Sequence, residues 1–311
     1  MTPLEAAPVA LRSLTMSDRK RRREALMRGV FLATAWVSIL ITLLIIVSIA
    51  REAWSFLTQV EMGALTEKGW FPRRGLFDIR TPLVGTLIVS GIAMVVATPL
   101  GLGAAVYLSE YAKPRVRKTI KPVLELLAGI PSVVIGFFAI SFITPELLAR
   151  VRSDVAFFNL AAAGIGVGIL TLPLVASVAE DAMRAVPHSL REAAYGLGSR
   201  KMTVAARVVF PAAISGVVAS LILGLSRAIG ETMVVAIAAG ATGGSLFSLD
   251  ILAPGQTMTA AMAALGVGTD QVKGADAAFQ SLYFLGALLF VMTFALNVAG
   301  DRFVRRIRER Y

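Results

Sequence analysis

Two charged residues stand where a long apolar segment should carry none. Arg227 and Glu231 interrupt a stretch that is uncharged over Val208–Ser226 and again over Thr232–Leu249. A spacing of four puts both on one face of a helix, close enough to pair. Arg227 lies 16 residues beyond Pro211, about 24 Å along a helix, in the middle to outer half of a bilayer. A lone charge there costs at least ~2.5–3.5 kcal/mol on insertion scales. The pair could be a buried salt bridge that only fixes packing, or the lining of an anion path; ionisable groups inside a membrane are functional by default. As a path, Arg227 supplies a permanent charge and a planar donor fork suited to an oxyanion. Glu231 would hold that fork and keep the anion from binding too tightly to leave. The neighbours Ser226, Gly230 and Thr232 belong to the same expected path. The face through Gly216, Ser220, Gly224, Arg227 and Glu231 is small and polar, so it should meet protein or water, not lipid.

A second feature is Gly129-Ile130-Pro131-Ser132. Pro131 removes a backbone donor and disfavours helix at Ile130. A break there frees N–H groups at a new helix start, the arrangement that meets anions in many transporters. Pro131 and Ser132 therefore join the expected path, with an ordinary proline kink as the other reading. Thr98-Pro99 in the preceding apolar run invites the same two readings, with the kink favoured. Glu125, just after Pro122, is expected in a first helical turn, where the dipole favours a carboxylate.

These residues need a membrane scaffold. The chain has 311 residues, 56% hydrophobic and only 16% charged, with mean hydropathy +0.74; soluble domains carry about 25% charged residues. Six uncharged runs are long enough to span: Gly29–Ala50, Thr81–Ser109, Leu126–Pro145, Val155–Ala179, the interrupted run through Val208–Leu249, and Ala277–Gly300. Lysine and arginine alternate between the connecting segments, 22 on one side against eight on the other. The positive-inside rule then puts both termini in the cytoplasm, and the net charge of +11 is topological, with no nucleic-acid partner required. Ile251–Thr269 is also uncharged, but Pro254-Gly255-Gln256 and the charge rule make it a re-entrant or interfacial segment on the outer face. The first apolar run exceeds the ~7–15 residues of a signal-peptide core, so it reads as an uncleaved span. The expected organisation is a basic cytoplasmic tail (1–28, with 1–18 disordered), a first span (29–50), an extracytoplasmic loop (51–80), a transmembrane domain of five further spans (81–300) and a basic cytoplasmic tail (301–311).

With no cysteine and a single histidine, His188, the chain offers neither a disulfide nor a metal cluster; His188 reads as a surface residue. It has no Gly-Lys-Ser or Gly-Lys-Thr, hence no P-loop and no usual ATP site.

The loop 180–212 carries Glu192-Ala193-Ala194, three residues, Gly198, nine residues, and Val208-Val209-Phe210-Pro211. Ser189 is a candidate N-cap for a short helix, and Gly198 supplies the backbone freedom its end requires. This pattern resembles the cytoplasmic EAA loop of ATP-binding-cassette importer permeases, with Val208 and Phe210 replacing the usual Ile and Leu. The resemblance implies that Glu192, Ala193, Ala194, Gly198 and Pro211 form the coupling lug that seats in a separate ATPase.

The segments Gly103–Tyr111, Glu125–Gly136 and Ser226–Gly240 are similar to the permeases of the bacterial phosphate-specific transport system, and Met233-Val234-Val235 is similar to its C-type subunit. The resemblance covers roughly residues 80–300; no motif is placed in the first 80. It implies an all-α, six-span MetI-like fold in the bacterial inner membrane and a non-catalytic subunit. It further implies a heterodimer with a PstA-like permease, two PstB-like ATPase subunits that bind ATP and Mg, and an extracytoplasmic PstS-like phosphate-binding protein. It identifies Arg227 and Glu231 with the family's intramembrane pair. Permeases for sulfate, molybdate or phosphonate share the EAA loop, and only Ser226–Thr232 separates them. A secondary transporter would instead work alone in an ion gradient, and an intramembrane enzyme would need an acid–base or metal set that the sequence does not offer.

Overall fold

The structure is a computed structural model and describes residues 18–66, 69–240, 243–266 and 276–307. The expected disordered tail lies almost wholly outside the described residues. Two compact units divide the chain at Arg51. In the first, residues 18–51 belong to a continuous helix, α1 (Asp18–Gln59). Its apolar side chains, Trp36, Leu40 and Leu44 among them, are exposed, the surface of a helix built to face lipid.

In the second unit, α2 (Arg80–Tyr111), α4 (Ser132–Val151), α5 (Leu160–Arg184) and α11 (Asp276–Ile307) are long enough to span. Between them lie α3 (Pro114–Ala128), the short α6 (His188–Gly196) and a bent pair, α7 (Lys201–Ala212) and α8 (Ile214–Ile229), which meet at 72°. Two short helices, α9 (Met233–Ala238) and α10 (Met258–Gly266), complete the set. With α1, five helices among the described residues are long and apolar enough to span a membrane, or six if the bent pair is one span.

The central helix is α5. Asn159 caps its N-terminus, accepting from the Ala162 N–H at 2.7 Å, and donates to Thr144 Oγ1 of α4 at 3.1 Å. Small residues let α2 approach it closely: a Cβ at Gly164 would sit 2.7 Å from Ile92, and one at Gly168 2.8 Å from Val96. Membrane helices associate through such close packing because lipid supplies no hydrophobic drive between them. The core around this contact joins Val89 and Ala93 of α2, Ile135 and Ala139 of α4, Val167 of α5 and Val234 of α9.

A hairpin outside the expected all-helical scheme follows α1. Trp70-Phe71 pairs antiparallel with Leu76-Phe77, with Trp70 opposite Phe77, and Gly75 closes the turn at φ +73°. Trp70, Phe77 and Phe56 are buried together with Met258 of α10 and Leu285 of α11. This small aromatic core is how a motif-less stretch of sequence acquires a fixed place.

Three local expectations are corrected. The run that starts at Val208 is not one helix: the backbone widens over Ala205–Val209, Pro211 removes a helical donor, and the chain turns at Ala213 between α7 and α8. The run after Glu231 does not continue as a span, since α9 ends at Ala238 and the backbone then bridges Gly240 to Gly255. Glu125 lies near the C-terminal end of α3, because Pro122 sits inside that helix and does not start it.

Candidate functional site

The expected helix through Arg227 and Glu231 ends between them. α8 stops at Ile229 with Gly230 as its cap, and Glu231 and Thr232 lie in a non-helical link before α9. The four-residue register is lost there, so among the described residues Arg227 and Glu231 form no ion pair. Arg227 is exposed in the last turn of α8, about 20 Å along the axis from Ile214. Glu231 instead precedes Thr232, the N-cap of α9; its Oε1 makes a long contact with the Val234 N–H at 3.5 Å, and its carbonyl accepts from Thr259 Oγ1 at 2.7 Å.

The small polar face divides in two. Gly216 and Gly224 seat α8 on α5, where a Cβ would come within 2.3 Å of Ala182 and 2.7 Å of Val175 respectively. Ser220 is buried with its hydroxyl donating to Val217 O. Beyond this contact, Ser226 Oγ donates to Asn297 Oδ1 of α11 at 2.9 Å. Ser226 and Thr232 are half-buried, while Gly230 is exposed.

The break at Gly129–Pro131 is present, and α4 starts at Ser132 with Pro131 extended at ψ 131°. The Val134 N–H is already taken by Pro131 O at 2.9 Å. α4 meets α9 where Gly136 faces Ile237, so the two helices that follow the two breaks pack on each other. Among the described residues no hydrogen bond or ion pair joins Pro131 or Ser132 to Arg227 or Glu231. Pro99 stays inside α2 without a break.

The Glu192–Gly198 segment is well defined. α6 ends in a glycine turn: Gly198, at φ +76°, donates from N to Tyr195 O at 2.9 Å, and Ser199 N donates to Ala194 O at 3.1 Å. These paired bonds satisfy the last carbonyls of the helix. Ser189 lies inside α6 and caps nothing; Pro187 holds the N-cap position. Glu192 and Ala193 are exposed, Ala194 is half-buried and His188 is at the surface. Leu197 and Met202 expose 87% and 75% of their surface, an apolar pair that a docking partner would cover. Val208 and Phe210 point the other way, into a core of Met183, Val204, Val209 and Val217, whereas Pro211 is exposed before the bend.

The profile described as "Binding-protein-dependent transport system inner membrane component" matches residues 97–310. The chain belongs to this family of permease components. A PstC phosphate transport permease of Mesorhizobium japonicum is 32% identical to it, covering 100% of this chain and 99% of that one. PstC 1 of Mycobacterium tuberculosis is 33% identical over 72% of this chain and 71% of its own. Among solved structures, a bacterial alginate ABC transporter shares the fold at 15% identity with TM-score 0.64, covering 94% of this chain and 98% of its own. The MetNI methionine transporter does so at 18% identity with TM-score 0.51, covering 80% and 98%. The fold is thus the MetI-like one, and the chain is a multi-pass protein of the inner membrane.

Within this family frame, three elements escaped the sequence. Asn297 is the sole asparagine of the last apolar run, and that isolation was its only signal. Arg191 and Glu110 form a buried pair 81 residues apart, invisible to local patterns. Glu180, fully buried on α5, pairs with Arg117 Nε at 2.7 Å and Lys121 Nζ at 2.9 Å on α3. Burial alone would lower the Lys121 pKa, but hydrogen bonds to Asp181 and Glu180 outweigh it and hold the ammonium above its ordinary value.

Proposed function

We propose that this chain is the permease subunit of an ATP-binding-cassette importer that moves inorganic phosphate into the cytoplasm. The observation that carries the reading is an exposed arginine at a helix break, Arg227, in a chain related to PstC permeases over its full length. Phosphate near neutral pH is a compact oxyanion, and a guanidinium matches its oxygens in pairs.

Arg227 attracts the anion while Glu231, tethered to α9 and not paired with the guanidinium, leaves the donor fork free. Ser226 and Asn297 hold the last turn of α8 in place; Gly230 and Thr232 give the link its shape. Pro131 and Ser132 open a second helix start on the path. Such a site binds weakly, because a conduit must release what it admits. Affinity then rests with an extracytoplasmic phosphate-binding protein of the PstS type.

Both termini lie in the cytoplasm in this reading, with α6 on the same side. Glu192, Ala193, Ala194 and Gly198 dock into a PstB-like ATPase dimer, which holds ATP and Mg, and Pro211 begins the bend that carries the motion into α8. A PstA-like permease supplies the other half of the pathway. Hydrolysis occurs on the partner, and this subunit is not itself a catalyst.

The test is uptake by proteoliposomes holding the complete complex with its binding protein. Phosphate should enter on ATP addition while sulfate and molybdate do not, and Arg227→Gln should abolish entry with the complex still assembled. Equal uptake of sulfate, or undiminished phosphate uptake by the variant, would overturn the reading.

A further inference from the structure

A cleft of about 480 Å³ opens between α3 and the C-terminal end of α5, far in sequence from Arg227. Arg117, Lys118, Lys121, Pro122, Glu125 and Arg184 are among the residues that line it, four cations against one carboxylate. Two of the cations are partly committed: Arg117 through Nε to Glu180, and Lys121 to Glu180 and Asp181. That clamp fixes the cleft wall. Among the described residues Lys118 and Arg184 enter no ion pair, and both are exposed.

The topological bias asks for cations on this side but not that four of them surround one hollow, where their mutual repulsion favours a bound anion. The same helix exposes Val116, Val123 and Leu126. Charged groups around a hollow beside exposed apolar side chains are the composition of a helix lying at a membrane interface.

We propose that this cleft binds a phosphate group, with Lys118 and Arg184 as its donors. The group is either the headgroup of an anionic phospholipid, with acyl chains over Val116, Val123 and Leu126, or free inorganic phosphate. Arg117 and Lys121 hold the site through Glu180, and Glu125 at the rim limits residence. The cytoplasmic side assigned to the cleft rests on the orientation given under the proposed function, but the binding itself does not.

The experiment is native mass spectrometry of the full chain in detergent, titrated with phosphatidylglycerol, phosphatidylcholine or inorganic phosphate. The double variant Lys118→Gln, Arg184→Gln leaves the clamp intact, and Arg73→Gln, Arg74→Gln removes the same charge elsewhere. Wild type and the Arg73, Arg74 control should retain phosphatidylglycerol several-fold over phosphatidylcholine, and the double variant should lose that preference. Displacement of the lipid by millimolar phosphate, absent in the double variant, assigns the free anion as a ligand; resistance to displacement assigns the lipid. If the double variant proves unstable, each single substitution should lose part of the preference. Equal retention of both lipids by wild type with no phosphate adduct, or unchanged retention by a folded double variant, would overturn the proposal. Phosphate uptake by the complex reads Arg227 and not this cleft, so failure here leaves the transport reading standing, and the reverse also holds.

Discussion

Arg191 of α6 donates from Nη2 to Glu110 Oε1 at 3.0 Å, and both side chains are largely buried. The same guanidinium donates to Met183 O at 2.8 Å, in the last turn of α5, and to Val186 O at 2.6 Å just beyond it. One side chain thereby ties α6 to the ends of two long helices. If α6 couples to an ATPase as proposed, it must be fixed at its root, and this contact fixes it.

Removing one partner of such a pair leaves the other charge buried and unmatched, at a cost on the order of 3–5 kcal/mol. Glu110→Gln should therefore lower the melting temperature and weaken the coupling of ATP hydrolysis to uptake. Exchanging the two residues should not restore coupling, because a carboxylate at 191 cannot donate to the two carbonyls. Thermal melting with ATPase and uptake assays on the same preparations checks both statements.

Gly198 lies in open space, where an added Cβ would meet nothing within 4 Å, yet its φ is +76°. Gly198→Ala tests the backbone alone: a left-handed alanine costs about 1–2 kcal/mol. ATPase attachment should weaken while the transmembrane helices melt as before. Glu192→Gln should weaken attachment without that strain. Pull-down of the ATPase subunit measures each.

Two glycines separate packing from propensity. Gly216→Val forces a side chain onto Ala182, whose Cβ already lies 2.3 Å from the position of a Cβ at 216, and should detach α8 from α5. Gly103 lies within α2 with nothing nearby. Gly103→Ala should be neutral or stabilise by up to about 1 kcal/mol. Chemical denaturation in detergent distinguishes the two.

Asn297→Leu removes the acceptor for the Ser226 hydroxyl at little change in volume. Uptake should fall several-fold while assembly and ATPase attachment stay intact. Unchanged uptake would show that the contact does not position the last turn of α8.

What could be read from sequence follows the range of the forces involved. The breaks at Pro131 and Gly198 are decided by a missing donor and a backbone angle, both local, and both are where the sequence placed them. The apolar runs gave the spans, since lipid permits little else. The helix end at Gly230 was not legible, because a lone glycine inside an apolar run also fits a continuous helix. Pro211 marks a weak point in the helix, but the 72° turn at Ala213 also needs α8 seated on α5 through Gly216 and Gly224, and the Arg191–Glu110 pair joins chain segments 81 residues apart. Such contacts exist only once the helices have assembled.

Passage of an anion by this route requires position 227 to meet water. The chain has no cysteine, so Arg227→Cys in the assembled complex carries the only reactive thiol of this subunit, and Ile229→Cys, at a buried position, serves as its control. Labelling by a charged, membrane-impermeant thiosulfonate should be fast at 227, slow at 229 and altered at 227 when the partner ATPase binds nucleotide. A thiol at 227 as inert as the one at 229 in every nucleotide state would contradict the route.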